Sequence, residues 1–406
     1  MAPGRPWDAR SAPSTAHGRP WDARARHLQQ LGETLPRPCL GLGAEKPVFF
    51  RSLPPHSAPA FPCPLASDSL PAVRFVICGV GHIGRRHAAL VARHAGAQLV
   101  ALIDANTEIQ AALATEFPGV PCFVSLDDYL THGPAADVLT VATPNGLHAS
   151  QAVRGLRAGL HVVVEKPLAL SKADAEQIVH TALQTGRFVF GVMQNRYSPP
   201  AAWLKQVMDA GRLGQVHLVQ LNCFWNRDER YYTPGSWHGT QALDGGTLFT
   251  QFSHFVDLLY WVFGDITNIS ARFRDFNHVG LTEFEDSGLV TFDLLRGGSG
   301  TLQYSTAVWD RNLESSLTVV AEHGSLRLGG QYMDKVDYCH LRDYTMPELA
   351  PTNPANQYGP YQGSAANHVH VIDNVVDTIQ KRGVATTNAL EGLKVVEMIE
   401  RIYALK

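Results

Sequence analysis

The 406-residue sequence has few cysteines, no long apolar run and no excess of either charge. Its six cysteines are scattered without a C-x-x-C pair, which argues against a disulfide framework and against a zinc site. No apolar stretch reaches the roughly 18 to 20 residues of a membrane-spanning helix, and no secretory signal is evident. A formal net charge of −3 argues against nucleic acid or an anionic membrane as a partner. We therefore expect a cytoplasmic protein without a bound metal.

Residues 1–70 differ from the rest of the chain because they are rich in proline, alanine, serine and arginine. The segment Gly-Arg-Pro-Trp-Asp-Ala-Arg occurs twice, at Gly4–Arg10 and Gly18–Arg24, and no helical or strand periodicity is sustained. Such a composition cannot bury enough apolar surface to offset the entropy of ordering the chain. We predict a disordered tail; an arginine-rich targeting segment and a start of translation further downstream are the alternatives.

A glycine-rich turn follows the first predicted buried strand, Val73–Cys78, and precedes a predicted helix. Gly79 permits the tight turn, Gly81 lets the backbone approach a pyrophosphate, and Gly84 allows the helix to pack closely on the strand. The free amides at the start of the helix attract the pyrophosphate. This pattern predicts a dinucleotide site whose glycine-rich segment comprises Gly79, Gly81, His82, Ile83 and Gly84.

An acidic residue lies where such a site places the ribose. The predicted strand Gln98–Ile103 ends in Asp104, twenty positions beyond Gly84. A carboxylate there accepts a hydrogen bond from the ribose 2′-hydroxyl and repels a 2′-phosphate. We therefore expect the cofactor to be NAD rather than NADP.

Strands and helices continue to alternate as far as residue 194, which predicts a Rossmann domain over 71–194 with a doubly wound parallel sheet. Two of its strands end in polar segments, Thr143-Pro144-Asn145 and Glu165-Lys166-Pro167. Ligands of such sheets bind beyond the carboxyl ends of the strands, so these segments are candidate site residues.

The pattern changes over residues 195–406. Strand-like runs separated by glycine-containing turns replace the strand–helix units, and one long apolar helix is predicted over Gly245–Phe263. We predict a C-terminal α+β domain with an open, mainly antiparallel sheet.

Taken together, these motifs resemble the glucose–fructose oxidoreductase, inositol dehydrogenase and rhizopine-catabolism superfamily (Gfo/Idh/MocA). The resemblance rests on the glycine-rich turn, on the two polar strand ends with His148, and on Gly245-Gly246 followed by His254 and Asp257. It implies an NAD-dependent dehydrogenase of CH–OH groups that forms a homodimer or homotetramer. It also implies that the sheet of the C-terminal domain, residues 195–406, carries the substrate site and the oligomer contact. It also implies cofactor contacts at Thr143, Pro144, Asn145, His148, Glu165 and Lys166.

A narrower resemblance is to bacterial UDP-N-acetylglucosaminuronate 3-dehydrogenases, which make a 3-keto sugar for surface-polysaccharide synthesis. It rests on Gln194–Tyr197, Asn222–Asn226, Asp244–Asp257 and Tyr361–Ser364. This branch implies a sugar-nucleotide substrate. Two alternatives stay open: a dehydrogenase of a free sugar or cyclitol, and a non-catalytic NAD-binding regulatory module.

Two residues are candidates for the chemistry. Lys166 follows a buried strand where the nicotinamide is expected, so its ammonium could bind the reacting oxygen; pairing with Glu165 is the structural alternative. His254 could accept the hydroxyl proton, and Asp257, three residues on, could orient the imidazole or simply pack. Many relatives carry aspartate at the position of Thr250. The hydroxyl of a threonine cannot shuttle a proton as that carboxylate does.

Further polar residues suit a large hydrophilic ligand. Candidate substrate contacts are Asn195, Arg196 and Tyr197, at the end of the last Rossmann strand, together with Lys166, Thr250 and His254. The segment 227–232, with two arginines and two tyrosines, is either a substrate contact or a solvated charged loop.

Overall fold

A computed structural model describes residues 70–359 and 361–406. The predicted disordered tail, apart from its last residue, lies outside the described residues. Within the described part of the chain, no helix is both long enough and apolar enough to cross a membrane.

The first sheet has six parallel strands in the order β3-β2-β1-β4-β5-β6. The strand order turns back on itself beside β1, which is the arrangement of a Rossmann domain and confirms the predicted fold class. The central strands are buried on both faces, as their near-continuous valine and isoleucine runs require. The strands are β1 Val73–Cys78, β2 Ala97–Ile103, β3 Cys122–Phe123, β4 Val138–Val141, β5 His161–Val164 and β6 Val189–Gly191.

Five helices connect these strands, and three of them begin at a side-chain cap. Asn106, Ser125 and Ser171 each accept hydrogen bonds from backbone amides of the first turn, as residues of these types do at helix starts. The helices are α1 His82–Arg93, α2 Thr107–Glu116, α3 Leu126–His132, α4 His148–Arg157 and α5 Lys172–Thr185.

The second sheet has seven strands in the order β13-β12-β11-β7-β10-β9-β8. Only the β7–β10 pair is parallel, so the sheet is mainly antiparallel, as predicted. A separate hairpin consists of β14 Ala355–Tyr358 and β15 Tyr361–Ala365. The strands of the large sheet are β7 Val216–Phe224, β8 Ile266–Arg274, β9 Ser287–Leu294, β10 Ser299–Ser305, β11 Glu314–Ala321, β12 Gly324–Gly329 and β13 Lys335–Leu341.

The predicted single helix over Gly245–Phe263 is wrong, because the chain forms two helices there. After α6 Pro199–Asp209, the segment folds into α7 Thr247–Thr250 and α8 Ser253–Phe263. The break falls at Phe252, whose φ of −119° and ψ of 5° are not helical. The Phe252 ring is completely buried and packs against Trp225 and Tyr304, so tertiary packing overrides the apolar helical pattern. His254 therefore lies in the first turn of α8 rather than in mid-helix.

Two C-terminal helices, α9 His368–Ile379 and α10 Ala389–Tyr403, pack back onto the Rossmann domain. Four apolar side chains of α9 are buried in the same core cluster as β1 and α1: Val371, Ile372, Val375 and Val376. Helix α10 contacts α5 and α8. The core around the first sheet is thus completed by a segment that is distant in sequence.

Candidate active site

The glycine-rich turn has the conformation that a dinucleotide needs. Gly79 has a φ of +83°, and a Cβ there would lie 2.7 Å from the carbonyl oxygen of Ala142. A Cβ on Gly84 would overlap the carbonyl group of Gly79. At Gly81, in contrast, a Cβ would meet no described atom within 4 Å, so the backbone faces open space just before α1. These residues fit the pyrophosphate of a dinucleotide, held on the first amides of α1.

Asp104 lies beside this turn at the end of β2. Its Oδ2 accepts a hydrogen bond from the Val80 amide at 2.8 Å, and its Oδ1 accepts one from the Asn106 amide at 2.9 Å. Each carboxylate oxygen has a second lone pair, so Asp104 can hold the turn and still accept from a ribose hydroxyl. His82, at the start of α1, contacts the ring of Tyr358 edge to face at a centroid distance of 6.5 Å, and Ile83 follows it on the helix.

The segment after β4 connects the two domains. Asn145 is buried, and its Nδ2 donates to the Asp244 carbonyl at 2.9 Å and to Thr250 Oγ1 at 2.7 Å. Thr143 Oγ1 donates to Gln151 at 2.7 Å, and Pro144 precedes the short 3₁₀ turn that carries Asn145. This segment therefore positions Thr250 of the second domain at the carboxyl edge of the first sheet.

His148 is buried between two carbonyl groups. Its Nδ1 lies 2.7 Å from the Pro167 oxygen and its Nε2 lies 2.9 Å from the Thr143 oxygen. Burial lowers the pKa of His148 from its ordinary value. His148 thus ties the segment after β4 to the segment after β5, where the Lys166–Pro167 peptide is cis.

Glu165 accepts hydrogen bonds from two histidines that the sequence analysis did not identify. Its Oε1 is 2.8 Å from His87 Nε2 and 3.5 Å from His368 Nε2, and its Oε2 accepts from the Lys166 amide at 3.2 Å. Burial alone would raise the pKa of Glu165, but the bonds from His368 and His87 hold it well below its ordinary value. The two histidines lie on α1 and α9, and no local sequence signal connects residues so far apart.

Glu165, His87 and His368 place three potential ligand atoms within 4.8 Å of one another. Histidines that bind a metal normally donate their other ring N–H to a partner. Here Nδ1 of both histidines is buried and has no partner in the described part of the chain. We therefore interpret this cluster as a carboxylate that is hydrogen-bonded by two imidazoles.

Lys166 and His254 are both associated with the segment from α7 to the start of α8. Lys166 Nζ donates to the Thr250 carbonyl at 2.6 Å. Burial lowers the pKa of Lys166, while the negative charges of Glu165 and Asp244 oppose this shift. His254 is 4% exposed, and burial together with the Lys166 charge holds its pKa well below its ordinary value of 6.5. The imidazole is therefore neutral at pH 7 and able to accept a proton.

Thr250 has a positioning role in this arrangement. Its hydroxyl accepts from Asn145 and donates to the buried carboxylate of Asp244, and its carbonyl holds Lys166. Asp244 was not singled out from the sequence, because its partner lies on a turn whose shape depends on tertiary packing. The Thr250 hydroxyl is thus already hydrogen-bonded to other groups of the protein, both as a donor and as an acceptor.

Asp257 does not orient His254. It is completely buried and accepts from Arg196 Nε at 2.8 Å and from Arg196 Nη2 at 2.5 Å. Arg196 also forms an ion pair with Glu391 at 3.0 Å and donates to the Thr386 carbonyl. His254 Nδ1 is buried without a partner among the described residues. The idea that Asp257 orients the imidazole is therefore corrected: its carboxylate is engaged by an arginine of the segment that follows β6.

The three neighbouring substrate candidates separate in the structure. Asn195 donates to Ser364 of β15 at 3.3 Å, and its Oδ1 is buried without a partner in the part of the chain described. Arg196 forms ion pairs with Asp257 of α8 and Glu391 of α10. Tyr197 hydrogen-bonds Thr386 through its hydroxyl, and its ring contacts His370 at a centroid distance of 5.5 Å. Of the three, only Asn195 retains an unused polar atom.

Family comparisons agree with this architecture. Residues 73–192 match the oxidoreductase family with an NAD-binding Rossmann fold, and residues 202–327 match the GFO/IDH/MocA C-terminal domain. The matched ranges correspond to the parallel sheet with its helices and to most of the second sheet.

Solved structures and sequence relatives extend the comparison. The WlbA dehydrogenase of Bordetella pertussis, in complex with NADH and UDP-GlcNAcA, is 32% identical with a TM-score of 0.72, covering 82% of this chain and 96% of that chain. The Chromobacterium violaceum WlbA complex with the same two ligands is 29% identical with a TM-score of 0.72, covering 83% and 94%. The 1,5-anhydro-D-fructose reductase of Ensifer adhaerens is 29% identical over 297 residues, covering 70% of this chain and 84% of its own. The chain thus belongs to the Gfo/Idh/MocA family and is an NAD-dependent oxidoreductase.

Proposed function

We propose that this enzyme oxidises the C3 hydroxyl of a UDP-linked N-acetylated uronic acid. The observation that carries the proposal is the hydrogen bond of Lys166, which follows β5, to the carbonyl of Thr250, four residues before His254 at the start of α8. The two WlbA structures, which contain UDP-GlcNAcA, support the choice of substrate class.

The chain's own residues can supply the proton chemistry. NAD, when bound, takes the hydride from the substrate carbon. The Lys166 ammonium binds the reacting oxygen and stabilises negative charge as the O–H bond breaks. Neutral His254 accepts the hydroxyl proton and later releases it to solvent, leaving a ketone. Thr250 holds Lys166 through its carbonyl, so it acts on the reaction only by positioning.

A dehydrogenase of a free sugar or cyclitol is the second candidate. The similarity to a 1,5-anhydro-D-fructose reductase, which extends over both domains, favours it. The engaged hydroxyl of Thr250 argues against it, because the aspartate that many of the sugar and cyclitol relatives carry there is missing.

A substrate panel tests the proposal. The full-length protein is incubated with NAD, with 2-oxoglutarate as a possible electron acceptor, and with UDP-N-acetylglucosaminuronate, UDP-N-acetylglucosamine, myo-inositol or glucose. Mass spectrometry then detects the loss of two hydrogens. Loss from the uronate alone is expected. Loss only from inositol or glucose would support the second candidate, and loss from none of the compounds while NAD still binds would favour the regulatory module.

The oligomer is also part of this proposal. The face of the second sheet that points away from α8 carries exposed apolar residues, among them Leu289 at 55% and Leu218 at 47% exposure. Burying such a face between copies would form a homodimer or homotetramer. Light scattering coupled to size-exclusion chromatography would give the mass, and a monomer would contradict this part of the proposal.

A further inference from the structure

Arg227 is a buried cation without a carboxylate partner among the described residues. Arg227 lies in the loop that follows β7, and the residue is 3% exposed. Its hydrogen bonds go only to neutral oxygens: Gln251 Oε1 at 2.9 Å, the Asn226 carbonyl at 2.6 Å, Asn312 Oδ1 at 3.3 Å and the Gln362 carbonyl at 3.3 Å. Burying a charge without an opposite charge is costly, so this arrangement favours the binding of an anion.

The guanidinium retains capacity to bind such an anion. Arginine has five N–H donors, and these four contacts leave one N–H on Nη2 without an acceptor. Two of the contacts, at 3.3 Å, are long enough to be exchanged for a better acceptor. The planar fork of Nη1 and Nη2 is the geometry that binds a carboxylate through two oxygens.

Aromatic rings surround the same guanidinium. Its carbon lies 5.0 Å from the ring centroid of Trp225, 5.3 Å from that of Tyr231 and 5.2 Å from that of Tyr361. Rings at these distances stabilise the cation and exclude water, which strengthens its attraction for an anion. Arg230, on the same loop, differs: it is already paired with Asp228 at 2.6 Å and is largely exposed.

Arg227 also belongs to the same site as Lys166. Thr250 holds Lys166 through its carbonyl, and the next residue, Gln251, holds Arg227 through its side chain. The positive charge of Arg227 also contributes to lowering the pKa of Lys166. His254 follows three residues after Gln251. The two cations and the candidate base are therefore organised by five consecutive residues.

We propose that Arg227 binds the carboxylate of the uronic acid and thereby selects the uronate over the corresponding sugar with a C6 hydroxyl. In the pyranose ring, the carboxylate-bearing C5 and the reacting C3 are separated by one carbon. A carboxylate on Arg227 would therefore direct the C3 hydroxyl toward Lys166 and His254. This inference rests on the proposed function and adds to it the residue that recognises the acid group.

A purely structural role for Arg227 makes a different prediction, since it also connects β7 to Asn312 and Gln362. The test compares the wild type with Arg227→Gln, which retains polar hydrogen bonding, and with Arg382→Gln as the control, because Arg382 forms an exposed pair with Asp377. For each protein, kcat/KM is measured on UDP-N-acetylglucosaminuronate and on UDP-N-acetylglucosamine. We expect Arg227→Gln to lower the uronate-to-hexose ratio about 10- to 100-fold, as the loss of a charged hydrogen bond does, and Arg382→Gln to leave it unchanged. An equal loss on both substrates, or an unchanged ratio, would overturn the inference.

A second arm separates this inference from the proposed function. If the wild type oxidises neither sugar nucleotide, the proposed function fails, but anion recognition can still be measured on the enzyme–NADH complex. Glucuronate and glucose are titrated while NADH fluorescence is followed. Glucuronate should bind to the wild type and to Arg382→Gln more tightly than glucose does, and Arg227→Gln should lose this difference while still binding NADH. Failure of the wild type to prefer glucuronate, or equal binding by Arg227→Gln, would overturn the inference.

Discussion

Two buried arginines, Arg196 and Arg227, show how differently this fold uses the same side chain. Arg196 is 5% exposed and is paired with the carboxylates of Asp257 and Glu391. Arg227 is 3% exposed, and among the described residues it hydrogen-bonds only neutral oxygens and lies beside aromatic rings. The first arginine has its counter-charges without a ligand and joins the segment after β6 to α8 and α10. The second has no counter-charge in the described part of the chain, which is the basis of its proposed role in binding an anion.

The same contrast recurs within helix α8. Asp257 has an arginine partner, whereas His254, three residues earlier, has a buried Nδ1 without a partner in the described part of the chain. A satisfied side chain and an unsatisfied one therefore lie one turn apart on the same helix. Variants of candidate site residues should lose activity, whereas variants of fully paired residues should lose stability.

The largest effect is expected at Lys166. Lys166→Ala removes the ammonium that binds the reacting oxygen, and turnover should fall by about 10³-fold or more, because the charge that develops on the oxygen loses its stabilisation. NADH binding, followed by fluorescence, should change little. Lys172→Ala is the matched control, because Lys172 pairs with Glu397 away from the site. Turnover close to the wild-type value would contradict the assignment of Lys166.

The Arg196–Asp257 pair should contribute to the stability of the fold rather than to catalysis. Asp257→Asn leaves Arg196 buried without its main counter-charge, and the free energy of unfolding should fall by about 3–5 kcal/mol. Urea denaturation measures this, and Asp377→Asn, which breaks an exposed pair with Arg382, should cost under about 1 kcal/mol. A stable Asp257→Asn variant with a large loss of kcat would instead restore a role for Asp257 in catalysis.

His254→Ala should lower kcat by about 10²-fold, because the proton acceptor is lost. Since burial holds the pKa of His254 below 6.5, the neutral base is present at pH 7 and becomes protonated only as the pH falls below that value. The rate of alcohol oxidation by the wild type should therefore decline on the acid side, with an apparent pKa below 6.5. That acid limb should be missing from the pH–rate profile of the variant, and its persistence would assign the proton to another group.

The smallest effect is expected at Asp104. Asp104→Asn removes the charge that repels a 2′-phosphate, so the preference for NAD over NADP should shrink by about tenfold. The amide can still accept from the Val80 N–H, which preserves the turn. Dissociation constants for both cofactors measure this ratio, and tighter binding of NADP than NAD by the wild type would show that Asp104 does not select the cofactor.

The sequence predicted the features that depend on local geometry. The glycine-rich turn, the acid at the end of β2 and the polar strand ends follow from short spacings, and the structure brings them to one edge of the sheet. The His87–Glu165–His368 cluster joins residues up to 281 positions apart, so no spacing reveals it. The break at Phe252 and the pairing of Asp257 with Arg196 follow from packing and from competition between partners, which one-dimensional patterns do not contain.

The position of α9 has a consequence for the order of folding. This helix, His368–Ile379, supplies apolar side chains to the core that contains β1 and α1, and His368 reaches the carboxylate after β5. Because such distant contacts are slow to form, the first sheet remains partly uncovered until nearly the whole chain has been synthesised. A ribosome-bound chain that stops before α9 would expose an apolar face of α1, and chaperones that bind exposed apolar segments would have their clearest target there.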